Sequence, residues 1–270
     1  MNDEGQKNNE FALNEKISNV ILIFLLFVRV VDEDLAIWIF GASVPAWVPF
    51  WYNSIAYILT ATIVWLNRHR LAALNIDRPF IAALILGGAL YALHPTPNNV
   101  GVLVGIAAGL IFWAYSNNHF VFKNPVPYPK GTGWLILLTA LWALIPALFI
   151  QPILKTPLSF RIFSVTFIGG LQSYLALNVF EELVFRGALW AYLQSLGLNE
   201  RTAFYVQAFL FWIAHQGALL TKSWYSFFVV IPGVAIMLGL LAWRSKSLTP
   251  GTIGHFLFNL ITQLLLKIYY

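Results

Sequence analysis

Residues 178–186 read Asn-Val-Phe-Glu-Glu-Leu-Val-Phe-Arg, and the adjacent glutamates Glu181 and Glu182 close a long apolar run. An ionisable group at the centre of a membrane helix costs at least roughly 2.5–3.5 kcal/mol, so such a carboxylate pairs, lines water or does chemistry. Three further polar residues sit in apolar stretches downstream, His215 and then His255 with Asn259. Two carboxylates, two imidazoles and a carboxamide, carried by separate hydrophobic segments, suit acid–base chemistry at one site assembled inside a membrane.

Helical spacing divides the roles. Glu182 and Arg186 are four apart and face each other, which predicts an ion pair. Glu181 lies about 100° round the helix and is expected to be left free to point into a cavity. The competing reading is that both glutamates end the span at the membrane surface. His215, in Phe211-Trp-Ile-Ala-His215, is either a base near neutral pH or a hydrogen-bonded packing residue. His255 and Asn259, again four apart, share a helix face and suit donation to a developing oxyanion; a polar seam between two helices would use the same pair. Glu181, His215 and His255 are also ordinary zinc ligands, but no His-Glu-x-x-His segment is present, and zinc is possible without being favoured.

The elements that must position these groups follow from composition. The chain has 270 residues, 59% of them hydrophobic and 10% charged, with mean hydropathy +0.73. Soluble domains carry about 25% charged residues, and a soluble fold of this size could not bury so much apolar surface. An all-α, polytopic transmembrane bundle of eight or nine helices is expected. Eleven tryptophans and eleven tyrosines suit aromatic belts at both interfaces. The net charge of +5 is spread over short connections, which argues against a nucleic-acid partner. With no cysteine, disulfides, thiolate catalysis and cysteine-bound zinc are excluded.

Apolar segments fall near 18–31, 51–66, 79–94, 99–116, 134–153, 160–180, 203–220, 225–243 and 250–268. The first is interrupted by Arg29 and by Asp32, Glu33 and Asp34, so it is either a span or an interfacial helix. Residues 1–17 form a polar tail without signal-peptide features, so the first segment is expected to be retained. The organisation expected is a cytoplasmic tail (1–17), N-terminal helices without intramembrane carboxylates (18–130) and a catalytic core (131–270). Pro125, Pro127 and Pro129 make the boundary between the last two a stiff, non-helical loop.

If helices alternate, four basic connections fall on one side: Arg68, Arg70 and Arg78; Lys123 and Lys130; Arg186 and Arg201; Arg244 and Lys246. The other side collects Lys155 and Lys222. The basic side, with the N-terminus, is expected to be cytoplasmic. The stretch from 160 to 195 is nearly continuous in apolar character, about 54 Å as one helix against a hydrocarbon core of about 30 Å. A break near Gly169-Gly170 would make Glu181 deep; a second half lying along the interface would put it at the rim. No internal repeat is evident.

Taken together, Glu181-Glu182-x-x-x-Arg186, Phe211-x-x-x-His215 and His255-x-x-x-Asn259 resemble the ordered motifs of the CPBP intramembrane proteases, the family of the CAAX prenyl endopeptidases and bacterial Abi-type proteins. Phe-Arg-Gly-Ala-Leu after the glutamates and Ser-Leu-Thr-Pro-Gly-Thr-Ile-Gly-His before the last pair fit as well. The likeness covers residues 160–265. It implies a peptidase in which Glu181, helped by His215, activates a water for attack on a peptide carbonyl. By the same resemblance His255 and Asn259 hold the oxyanion, while Glu182 and Arg186 support the site. The family has been described both as metal-dependent and as glutamate-type, and no cofactor is required by the sequence. The partners implied are the lipid bilayer and a membrane-tethered or lipid-modified protein substrate, in a prokaryotic plasma membrane. Two other functions use the same residues differently: a non-catalytic immunity or partner-binding protein on this scaffold, and a proton-coupled carrier with Glu and His as relay.

Overall fold

The computed structural model describes residues 3–40, 45, 47–93, 100–123, 127–145, 160–216 and 224–269. Among these, all regular structure is helical. Ten α-helices follow in chain order: α1 (Asp3–Phe40), α2 (Trp47–Leu66), α3 (Arg78–Ala92), α4 (Gly101–Ser116), α5 (Thr132–Leu141), α6 (Phe160–Glu182), α7 (Leu189–Ser195), α8 (Glu200–Ile213), α9 (Ile231–Ser245) and α10 (Thr249–Tyr269). A π-turn over Leu183–Ala188 joins α6 to α7, and another over Ser226–Val230 leads into α9.

Among the described residues, two helices are long and apolar enough to cross a membrane, over Glu10–Arg29 and Ser226–Ser245; α3, α4 and the stretch Thr132–Leu144 are shorter apolar helices. Large apolar side chains such as Phe27, Ile106, Leu110, Trp134 and Phe209 lie exposed on the outside, as fits a molecule whose solvent is lipid. In that solvent helices associate through close packing and polar contacts, and small residues mark where backbones approach. Gly87 of α3 is such a place: a β-carbon there would lie 3.0 Å from the backbone nitrogen of Ala176 in α6.

The buried core draws on both sides of the proline loop. Leu22, Tyr57, Phe80 and Val104 belong to the same cluster as Phe180, Phe185, Phe211 and Leu238. Pro127 and Pro129 lie in a non-helical connection, whereas Pro125, Lys155 and Lys222 fall outside the described residues.

Several expectations about the elements change. The first apolar segment is part of one 38-residue helix that continues through the acidic run and back into the polar tail. No break occurs at Gly169-Gly170, and the second half of the 160–195 stretch does not lie on a surface. The chain stays helical from Phe160 to Ser195, and every residue from Val179 to Trp190 is buried. A π-turn absorbs one extra residue without ending the helix, a feature frequent at functional sites. Arg186, counted in the sequence among the basic connections, is fully buried within that turn.

The second π-turn leaves carbonyls that two tryptophans satisfy. Trp212 Nε1 donates to Phe227 O at 2.8 Å, and Trp142 Nε1 donates to Val230 O at 3.0 Å. These bonds tie α8 and the end of α5 to α9, and so fix the helices that flank the site.

Candidate active site

Glu181 and Glu182 end α6 and are 2% and 0% exposed. The predicted ion pair forms: Arg186 Nη1 lies 3.3 Å from Glu182 Oε1. Arg186 Nη2 donates to Ala235 O at 3.4 Å, and its guanidinium stacks 4.0 Å above the Phe211 ring. The ring and the carbonyl hold part of the guanidinium, while Arg186 Nε and Glu182 Oε2 are buried without a hydrogen-bond partner among the described residues, so the pair carries part of its desolvation cost uncompensated. Gly251 makes room for the carboxylate, since a β-carbon there would stand 2.7 Å from Glu182 Oε2. That fixes a physical reason for the glycine after Pro250.

Glu181 is not free. Arg29 Nη2, from α1, donates to Glu181 Oε1 at 3.1 Å and lies 3.2 Å from His215 Nε2. His215 Nδ1 is 2.7 Å from Phe211 O, one helical turn back. A carbonyl only accepts, so Nδ1 carries the hydrogen and Nε2 presents its lone pair to Arg29. His215 Nε2 and Glu181 Oε1 are 3.8 Å apart, beyond a direct hydrogen bond. The two residues are therefore coupled through the arginine rather than to each other. The expectation of an unpaired Glu181 fails because a cation from the N-terminal half reaches it.

His255 stands between the two carboxylates. Its Nδ1 is 2.9 Å from Glu182 Oε1, and its Nε2 is 3.6 Å from Glu181 Oε2. The carboxylate accepts, so Nδ1 donates to Glu182 and the ring is held with its other nitrogen facing Glu181. Phe211 packs against both imidazoles, with ring centroids 4.4 Å from His215 and 5.8 Å from His255. The phenylalanine of the Phe211-x-x-x-His215 spacing is thus the shared wall of the site.

Asn259 lies one turn beyond His255, and its Nδ2 donates to Asn178 Oδ1 at 2.8 Å. Asn178 is fully buried, one turn before Glu182, and its own Nδ2 has no partner among the described residues. The structure brings Glu181, Glu182, Arg186, His215 and His255 into one contact network and joins Asn259 to the glutamate helix through Asn178.

The start of α10 is anchored from the N-terminal half. Asp77 caps α3 by accepting from Phe80 N at 3.1 Å. Its carboxylate also accepts from the hydroxyls of Ser247, Thr249 and Tyr128. Leu248 N donates to Asn75 O at 2.9 Å, and Lys246 turns the chain with φ +51°. One carboxylate therefore gathers three connections at one end of the bundle and sets the entry of the helix that carries His255.

Arg29, Asn178 and Asp77 are the residues that motif reading passes over. Each had a signal: a lone arginine in an apolar segment, an asparagine one turn before a buried glutamate, and an aspartate just ahead of Arg-Pro at a helix start.

A metal ion fits this arrangement poorly. The Nε2 lone pair of His215 and Oε1 of Glu181 both face the Arg29 guanidinium, so two of the atoms that would bind zinc already accept from a cation. Among the described residues, no group of three His, Cys, Asp or Glu side chains is disposed to hold one.

A family model described as type II CAAX prenyl endopeptidase Rce1-like matches residues 139–261. The match contains all three motifs and supports a CPBP/CAAX protease assignment for this part of the chain. Arg29 and Asp77 lie outside it. No curated protein and no solved structure matches the chain.

Proposed function

We propose that the protein is an intramembrane endopeptidase that hydrolyses a peptide bond of a membrane-tethered or lipid-modified substrate near the cytoplasmic face. The observation that carries this reading is the buried Glu181 carboxylate with both histidines within 4 Å, inside the region that matches the endopeptidase family. Glu181 takes a proton from water as the oxygen attacks the substrate carbonyl, and returns it to the departing amine when the C–N bond breaks. His255, as an imidazolium whose Nδ1–H is held by Glu182 and whose Nε2–H faces the substrate, and Asn259, set by Asn178, stabilise the negative oxygen that forms between those steps. His215 orders Glu181 through Arg29. Glu182 and Arg186 keep the site's geometry without taking part in proton transfer. No step needs a metal.

Topology supports access from the cytoplasm. The connections carrying Arg68, Arg70, Lys246 and Asp77 meet at one end of the bundle, where Arg70 also pairs with Glu15 of α1 at 3.0 Å. By the positive-inside rule that end is cytoplasmic.

The clasp of Arg29 on Glu181 equally suits a scaffold that binds a partner without cutting it. One experiment separates the two readings. New peptide termini are compared in membranes of cells carrying wild type or Glu181→Gln, with equal accumulation of the two proteins checked alongside. A terminus made only by wild type supports hydrolysis and names the substrate. Identical termini leave the non-catalytic scaffold.

A further inference from the structure

We propose that Arg29 is a positioning residue of the active site, holding the Glu181 carboxylate and the His215 imidazole with one nitrogen, so that the site is incomplete without the N-terminal helix. This rests on the endopeptidase reading and concerns a residue 152 positions from its partner, outside the family match.

The argument begins with lone pairs. Glu181 Oε1 can only accept, and His215 Nε2 can only accept once Nδ1 has donated to Phe211 O. Two accepting atoms 3.8 Å apart repel, and something must donate to both. Arg29 Nη2 has two hydrogens and lies 3.1 Å from one acceptor and 3.2 Å from the other. One nitrogen therefore turns a repulsive pair into a fixed one. It also sets the His215 tautomer, because a hydrogen on Nε2 would point at a cation.

Placement supports the same reading. Arg29 closes the apolar stretch Glu10–Arg29, and its side chain is buried rather than extended towards solvent. An arginine kept at such a position is paired and functional far more often than incidental. A guanidinium offers two hydrogens on one nitrogen in a plane; a lysine ammonium is a compact charge on a flexible stem and holds two targets less rigidly. The base is then aimed by α1, and α1 is anchored independently at its polar end by Glu15–Arg70 and by the Ser18–Asn67 hydrogen bond of 2.8 Å.

The experiment follows the wild-type-dependent peptide terminus in membranes containing Arg29→Ala, Arg29→Gln, Arg29→Lys or Glu181→Gln, each at matched accumulation and with its melting temperature in detergent recorded. Misplacing a catalytic group by about 1 Å costs on the order of 10²-fold in rate, so Arg29→Ala and Arg29→Gln are expected to lose about that factor in kcat with little change in KM. Arg29→Lys is expected to retain an intermediate rate. Added guanidinium, at concentrations that leave wild type unaffected, is expected to restore part of the cleavage by Arg29→Ala and none by Glu181→Gln. Wild-type cleavage by Arg29→Gln, with Glu181→Gln inactive, overturns the proposal while leaving the endopeptidase reading intact. A loss that tracks the melting temperature and resists guanidinium also overturns it, by reducing Arg29 to a structural contact. Cleavage unchanged in Glu181→Gln overturns the endopeptidase reading itself. If Arg29→Ala does not accumulate, Arg29→Gln and Arg29→Lys decide the question by their rates.

Discussion

His255 Nδ1 lies 2.9 Å from Glu182 Oε1 while the opposite ring nitrogen faces Glu181, so one imidazole is oriented by Glu182 towards the glutamate proposed as the base. The adjacency of the two carboxylates then has a use. One residue of helix rotation separates the two carboxylates, and His255 spans the gap between them.

The first prediction concerns that imidazole. Replacing His255 with alanine leaves Glu182 paired with Arg186 and is expected to preserve accumulation. Cleavage should fall about 10²–10³-fold, the loss seen when one donor to an oxyanion is removed. His255→Ala protein that accumulates normally and cleaves at the wild-type rate would remove His255 from the site.

Glu182 and Arg186 should behave in the opposite manner. Breaking a buried pair from one side costs roughly 3–5 kcal/mol, because the remaining charge stays buried. Glu182→Leu or Arg186→Met is therefore expected to lower the melting temperature sharply and reduce accumulation. The double variant should recover part of that loss, since no uncompensated charge is left. A double variant less stable than both single variants would show that the pair contributes more than charge balance.

Asn259→Leu removes the donor to Asn178 Oδ1 and strands a buried carboxamide, at a cost of about 1–3 kcal/mol. Asn178→Ala removes the same bond without leaving a stranded group on α6. The expected outcome is a lower melting temperature for Asn259→Leu than for Asn178→Ala, with reduced cleavage in both. Equal melting temperatures in wild type and Asn259→Leu would mean that the bond between the two amides contributes nothing to the fold.

Asp77→Ala withdraws a helix cap worth about 0.5–2 kcal/mol together with the acceptor for Ser247 and Thr249. Both melting temperature and cleavage should fall, because α10 then enters the bundle less firmly. Asp77→Asn keeps one accepting oxygen and should fall between the two. Normal cleavage by Asp77→Ala would show that α10 is placed by its own packing.

How much of this could be read from residues alone depends on range. The Glu182–Arg186 pair was legible because both partners lie on one helix, four apart, where geometry leaves little choice. The three motifs were legible as a set through resemblance, and the family match over 139–261 contains them. The helical architecture was legible from hydropathy, although hydropathy carries no sign of a π-turn, so the stretch from 160 to 195 read either as broken near Gly169-Gly170 or as turned along the interface, whereas it is helical throughout. Arg29 was seen only as an interruption of an apolar run. Nothing local says which carboxylate, 152 residues away, such a charge will meet. Asn259 was read as an oxyanion donor or as part of a polar seam between two helices; its partner Asn178 declared itself only through packing.

The span between Arg29 and its acceptor also has a temporal side. Ribosomes add about 5–20 residues per second, so roughly 8–30 s pass between synthesis of Arg29 and of Glu181, and His255 follows 73 residues after Glu182. Until Glu181 is made Arg29 lacks this carboxylate, and until His255 is made the proposed base lacks one of its two imidazoles. In the proposed endopeptidase, a site assembled from α1 to α10 would keep the chain inert throughout its own insertion, and a ribosome that stalls before α10 would release a membrane protein unable to cut its neighbours.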